Sequence, residues 1–256
     1  MSKNKMEDKI EIKSLVIEGR NAVLEAFRSG KPIDKLFVLD GCQDGPVRSI
    51  VREARKHDTI IQFVEKERLA QLSETGKHQG VIAYAAAYEY AEVEDILANA
   101  REKGEDPFII LLDNIEDPHN LGAIIRTANL AGAHGVIIPK RRAVGLTATV
   151  ARTSAGALNY TPVAKVTNLA KTMEELKEQG LWFVCADMGG ETMYKLNLKG
   201  PIGLVIGNEG DGVSRLVKET CDFVASIPMK GDIDSLNASV ATGVLAYEIV
   251  RQRLNG

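Results

Sequence analysis

The segment Phe108-Ile-Ile-Leu-Leu112 is apolar at every position and is followed by Asp113-Asn114. A short run with no polar face suits a strand covered on both sides, as in a parallel sheet flanked by helices. Similar runs follow at Val136–Ile138, Leu181–Ala186, Ile202–Ile206 and Phe223–Ile227. Between and after them the apolar spacing becomes helical, over Leu121–Ala131, Leu169–Glu178, Val213–Glu219 and Leu236–Arg253. Strands alternating with helices predict an α/β unit built on a mostly parallel sheet.

The chain in front reads as a separate small α/β unit. A helix is expected over Arg20–Arg28, with Ala22, Val23, Ala26 and Phe27 on its apolar side, then a strand at Lys35–Leu39 and a helix at Val47–Lys56. A strand at Ile60–Val64, a helix at Glu67–Ser73 and a strand at Val81–Ala87 complete it. The Gly104…Pro107 break marks a boundary. The division expected is therefore a first domain over 1–90, with 1–13 as a flexible tail, a linker with a connecting helix over 91–106, and a second domain over 107–256. A length of 256 residues suits two domains.

At 45% hydrophobic and 26% charged residues, the composition excludes a disordered or fibrous chain. No apolar run is long enough to span a membrane, and the charged N-terminal stretch lacks the apolar middle of a signal peptide, so a cytoplasmic protein is expected. Cys42, Cys185 and Cys221 and the four histidines have no metal-binding spacing. The cysteines read as small buried side chains, and no metal is expected. The net charge of −3 is unevenly spread: from Pro118 to Met173 there is no Asp or Glu, while Arg126, Lys140, Arg141, Arg142, Arg152, Lys165 and Lys171 fall there. Such a basic region in an acidic chain fits a polyanion partner.

Three segments could carry chemistry. In Asp113–Asn129, a strand end turns into a helix with Asn120 as expected N-cap, Leu121, Ile124, Ile125 and Ala128 as apolar stripe, and Gly122, Arg126 and Asn129 on another face. An arginine is thus presented beyond the carboxyl end of a strand, where open α/β sheets bind ligands. In Ile202–Val213, a strand runs into a loop holding Gly207, Glu209, Gly210 and Gly212, where a ligand could approach the backbone closely. In Ile227–Glu248, Ser235 or Asp234 caps a long helix rich in small residues, with Asn237 at its start. Each also has a plain structural explanation: a surface arginine, a tight connection, a capped helix. The dinucleotide pattern G-x-G-x-x-G is absent, which argues against a nucleotide-dependent oxidoreductase.

Taken in order, N-x-G-x-x-x-R-T-A at Asn120–Ala128, I-G-N-E-G-x-G at Ile206–Gly212 and S-L-N-x-S-x-A at Ser235–Ala241 resemble the three motifs of the SpoU (SPOUT) RNA 2′-O-ribose methyltransferases. The front part, with Ile17-Glu-Gly-Arg-Asn-Ala-Val-Leu and His78-Gln-Gly-Val, is similar to the substrate-binding domain of the subgroup that methylates guanosine in 23S ribosomal RNA. The resemblance implies an L30e-like first domain, a deep trefoil knot in the second, a homodimer, and S-adenosylmethionine bound in the knotted loops. It points to Gly207, Ile227 and Leu236, then Met229 and Ala186, as cofactor contacts. It assigns the ribose chemistry to Asn120, Arg126, Glu209, Ser235 and Asn237. Arg20, Lys140, Arg141, Arg142 and Arg152 become candidate RNA contacts.

A guanidinium normally stays protonated. Arg126 as general base would need its charge disfavoured locally. Alternatively it stays charged, holding a phosphate or a developing alkoxide. The rival readings are a tRNA 2′-O-methyltransferase, an rRNA-methylating resistance enzyme, and a non-catalytic ribosome-assembly factor that binds RNA.

Overall fold

The computed structural model describes residues 15–233 and 235–255; the 1–13 tail and Asp234 lie outside them. The chain divides into two compact units, one ending at Ala87 and one beginning at Tyr88.

In the first unit the elements are β1 (Val16–Glu18), α1 (Arg20–Arg28), β2 (Ile33–Leu39), α2 (Gly45–Lys56), β3 (Ile60–Val64), α3 (Lys66–Leu72) and β4 (Val81–Ala85). Its sheet has the order β1-β4-β2-β3, with β2 and β3 parallel and the other pairs antiparallel. Strand β1 escaped the sequence reading because three residues are too few to show an alternation. Val23 and Phe27 of α1 pack with Leu36 and Val38 of β2 and with Val47, Ile50 and Ala54 of α2. Helix α2 starts where Asp44 accepts from Val47 N at 3.1 Å.

Glu18, at the end of β1, pins the turn after α3. It accepts from Ser73 Oγ at 2.6 Å, from Thr75 Oγ1 at 2.8 Å, and from the backbone N–H groups of Glu74 and Thr75. Burial works to raise its pKa, but the hydrogen bonds from Ser73, Thr75 and Glu74 outweigh it and hold the carboxyl at about 2 rather than 4.5.

The second unit runs α4 (Val93–Lys103), β5 (Phe108–Leu112), α5 (Pro118–Leu130), β6 (Gly135–Pro139), α6 (Ala148–Thr153), β7 (Val163–Val166), α7 (Leu169–Lys177), β8 (Trp182–Thr192), β9 (Ile202–Ile206), α8 (Arg215–Thr220), β10 (Phe223–Ser226) and α9 (Ala238–Leu254). Its six strands lie in the order β10-β8-β9-β5-β6-β7, every neighbouring pair parallel. From β5 the chain steps outward through β6 and β7, then crosses to β8 and returns to place β9 beside β5. Leu112 pairs with Ile206 in that register, so the loops after β5 and β9 emerge side by side. A reversal of strand order of this kind opens a crevice at the carboxyl ends of the strands.

Three differences from the sequence expectation have physical causes. Residues 91–106 pack with the second unit rather than spacing two units apart: α4 buries Ile96, Leu97 and Ala100, and Ala91 bridges to Ala164 of β7. A Cβ on Gly135 would lie 2.6 Å from Ile96, so glycine in β6 is what lets α4 sit there. Helix α5 begins at Pro118 with Asp117 as its cap, accepting from His119 N at 2.8 Å, because proline's fixed φ suits the first helical position. Asn120 is thereby a first-turn residue instead of the cap. Helix α9 is capped by Asn237, which accepts from Ser239 N at 3.0 Å and Val240 N at 3.4 Å, and not by Ser235. Among the described residues no helix is long and apolar enough to cross a membrane.

Candidate active site

The loop after β9 is closed by its own backbone. Asn208 and Gly212 exchange N–H···O bonds of 3.1 and 2.8 Å, and Gly210 N donates to Asn208 Oδ1 at 2.8 Å. Gly212 sits at φ +68, and a Cβ on Gly207 would come within 2.2 Å of the Gly212 backbone. Both glycines are therefore required by the loop itself. The loop is also tied to the one after β5: Asn208 Nδ2 donates to Asn114 O at 3.2 Å, and Ser214 N donates to Asp113 Oδ2 at 2.7 Å.

Three of the motif side chains meet at this crevice. Glu209 Oε1 accepts from Asn120 Nδ2 at 2.8 Å, from Asn237 Nδ2 at 2.6 Å and from Ala238 N at 3.1 Å. Asn237 Nδ2 also donates to Asn120 Oδ1 at 2.9 Å. Residues from α5, the β9 loop and the start of α9 are thus joined in one network. Glu209 Oε2 has no hydrogen-bond partner among the described residues. Arg126 is not part of the network. It is exposed, with no hydrogen bond or ion pair among the described residues.

Two cavities adjoin the network. One, of 240 Å³, is lined by Ala186, Gly207, Ile227, Met229, Ser235 and Leu236, among others. All five cofactor candidates face it, together with Ser235. The other, of 280 Å³, is lined by Ile115, Glu116, Asp117 and Asn120. Asn208, Glu209, Gly210 and Ala238 line both. Sequence reasoning missed Asp187, which also lines the first cavity. Its hydrogen bond from Lys218, then that from Gly189 N, hold its pKa below the ordinary value. Its position just past the apolar run of β8 was the available signal, since ligands gather at carboxyl ends of strands.

The basic candidates differ in their surroundings. Arg20 is held in the first unit: it pairs with Asp44 at 2.6 Å, and its Nε donates to Gln79 O at 3.0 Å. Arg141 and Arg142 are exposed on the loop after β6, and Arg152 is exposed on α6. That loop is anchored by Val144 N donating to Ile115 O at 3.0 Å and Leu146 N donating to Tyr90 Oη at 2.9 Å. Cys42, Cys185 and Cys221 are free thiols. No group of three or more metal-ligating side chains occurs among the described residues.

Residues 107–247 match the SpoU rRNA Methylase family, over the same segment that forms the network and both cavities. The chain belongs to this family. Residues 16–91 match the family described as RNA 2'-O ribose methyltransferase substrate binding. YacO of Bacillus subtilis, named as a TrmH family tRNA/rRNA methyltransferase, is 51% identical over 92% of this chain and 94% of its own length. The SpoU methyltransferase AviRb from Streptomyces viridochromogenes, solved in complex with AdoMet, superposes with a TM-score of 0.61 at 27% identity, covering 94% of this chain and 91% of AviRb. A TrmH/SpoU tRNA modifying enzyme of A. aeolicus superposes with a TM-score of 0.54 at 30% identity, over 59% of this chain and 77% of that one.

Proposed function

We propose that this SpoU-family protein transfers a methyl group from S-adenosylmethionine to the 2′-hydroxyl of a guanosine ribose in 23S ribosomal RNA, acting in the cytoplasm as a homodimer. The observation that carries the reading is the pair of cavities sharing the wall of Asn208, Glu209, Gly210 and Ala238. One cavity suits a methyl donor and the other its acceptor, with the Asn120–Glu209–Asn237 network beside both.

The first cavity fits the cofactor on its own chemistry. Ile206, Ala225, Ile227 and Leu236 offer apolar surface to a purine ring, and Asp187 offers a carboxylate to hydroxyl or cationic groups. Gly207 keeps the β9 loop closed against Gly212 at the cavity wall. Ala186 and Met229 complete the lining. S-adenosylmethionine supplies an already activated methyl group, so the protein's task is to position the ribose and take up its proton. Glu209, steadied through Oε1, keeps Oε2 for a ribose hydroxyl. Asn120 and Asn237 fix that carboxylate, and Ser235 lies at the cofactor side of the wall. Arg126, unpaired among the described residues, serves as proton acceptor or holds the neighbouring phosphate. The first unit selects the RNA, with Arg20 shaping its surface, while Lys140, Arg141, Arg142 and Arg152 hold phosphates.

Ribosomal RNA from a strain lacking the protein, incubated with purified protein and methyl-labelled S-adenosylmethionine, tests this. Labelled 2′-O-methylguanosine that disappears with Arg126→Ala is the expected result. Label on tRNA alone would keep the enzyme class and discard the ribosomal substrate. Label on neither would return the chain to the reading of an RNA-binding assembly factor.

A further inference from the structure

The 280 Å³ cavity is lined by three acidic residues, Glu116, Asp117 and Glu209, and among the described residues neither lysine, arginine nor histidine lines it. An RNA phosphate is repelled from such a space. What fits is the uncharged part of a nucleotide that donates hydrogen bonds. Arg141 and Arg142 do not line this cavity, and their loop is tied to its wall where Val144 N donates to Ile115 O at 3.0 Å. Charge alone therefore separates a nucleoside position from a phosphate position.

Two of the three carboxylates are already in use. Asp117 caps α5 through Oδ1, and Glu209 gathers Asn120, Asn237 and the backbone of Ala238. Asn208 spends its carbonyl on Gly210 N and donates from its amide nitrogen to Asn114 O. The side chain of Glu116 is exposed and makes no hydrogen bond or ion pair among the described residues. It is the lining carboxylate with both oxygens uncommitted.

We propose that Glu116 is a specificity-determining residue that reads a guanine base in this cavity, its two oxygens accepting from the ring N1–H and the exocyclic 2-amino group. The proposal rests on the methyltransferase reading above. A carboxylate offers two acceptors side by side and no donor. Guanine presents two adjacent donors on one edge. Adenine and cytosine set their amino group beside an acceptor nitrogen, and uracil sets its single N–H between two carbonyls. Each of these three would turn a lone pair towards the second carboxylate oxygen.

The experiment first maps the methylated nucleotide in ribosomal RNA, then compares RNA fragments carrying guanosine or inosine there. Inosine keeps N1–H and lacks the 2-amino group. The wild type is expected to methylate the inosine RNA about tenfold more slowly. Glu116→Ala should lose about tenfold or more on guanosine RNA and respond no further to inosine. Glu116→Gln, which keeps one acceptor, should fall between the two. S-adenosylmethionine Kd and Tm should stay at wild-type values in both variants. A wild-type guanosine-to-inosine ratio in Glu116→Ala would overturn the proposal. Methylation of an adenosine or pyrimidine ribose would overturn it too, while leaving the methyltransferase reading standing. Absence of label from both ribosomal RNA and tRNA would defeat both readings.

Discussion

Glu18 in the first unit and Glu209 in the second each collect several hydrogen bonds, and they distribute them differently. Glu18 spends both oxygens: Oε1 takes two backbone N–H groups and Oε2 takes the hydroxyls of Ser73 and Thr75. Glu209 loads three donors onto Oε1, and its Oε2 has no partner among the described residues. The first pattern saturates a carboxylate and fixes a turn. The second holds a carboxylate steady while leaving one oxygen for something else, beside two cavities. Residual hydrogen-bonding capacity, more than the number of bonds made, distinguishes the proposed site glutamate from the structural one.

The sharpest way to break that comparison is to truncate each glutamate. Glu209→Ala is expected to lower the rate of methyl transfer by about 10²–10³-fold. It should cost less Tm than Glu18→Ala does, since Glu209 is exposed. Glu18→Ala should do the reverse, lowering Tm with little effect on cofactor binding. Equal losses of Tm in the two variants would sink the distinction. The next effect in size is Gly207→Ala. With 2.2 Å between the added Cβ and the Gly212 backbone, the loop must shift, and S-adenosylmethionine Kd should rise about tenfold to hundredfold by calorimetry. An unchanged Kd would mean that this loop does not carry the cofactor.

The same contrast explains how much of the molecule was legible in the sequence. Strands β5 and β9 stood out because they are apolar throughout and buried throughout, and their bounds came out as Phe108–Leu112 and Ile202–Ile206. Strand β7, at the sheet edge, has only four residues and carries Lys165, so no run announced it. Helix α6 was missed for a similar reason: it is short, and its role is to bring Thr153 against Gly122, where a Cβ would lie 1.8 Å from Thr153 Oγ1. The proposed site residues were visible as motifs, yet their meeting was not. Asn120, Glu209 and Asn237 are joined by bonds spanning 89 and 28 positions, which no local period encodes. Glu116 and Asp117 gave no pattern beyond a turn, because it is the reversal of strand order between β5 and β9 that makes a cavity of that turn.

A smaller effect tests whether charge is partitioned between cavity and loop. Arg141 and Arg142 are exposed on the loop after β6, outside both cavities. Replacing both with Ala should weaken RNA binding and flatten the dependence of log K on log salt by roughly 1.4, about 0.7 for each phosphate that is no longer neutralised on single-stranded RNA. S-adenosylmethionine binding should not change. A salt slope equal to wild type would place the phosphates elsewhere.

The smallest effect is a pH dependence confined to the saturated glutamate. Glu18 has its carboxyl held at about 2 against an ordinary 4.5. The folded state therefore binds this proton less readily than the unfolded state does. The ionised carboxylate contributes its full stabilisation above about pH 4.5 and loses it as the pH falls towards 2. Glu18→Gln, which cannot ionise, should melt a few degrees below wild type at pH 7, on the order of 4 °C. That gap should hold down to about pH 5 and close steadily below it, because other carboxylates titrate alike in both proteins. A gap that stayed constant to pH 3 would show that the Ser73–Thr75 turn is held equally well by an uncharged acceptor, and the saturated pattern would then owe nothing to charge.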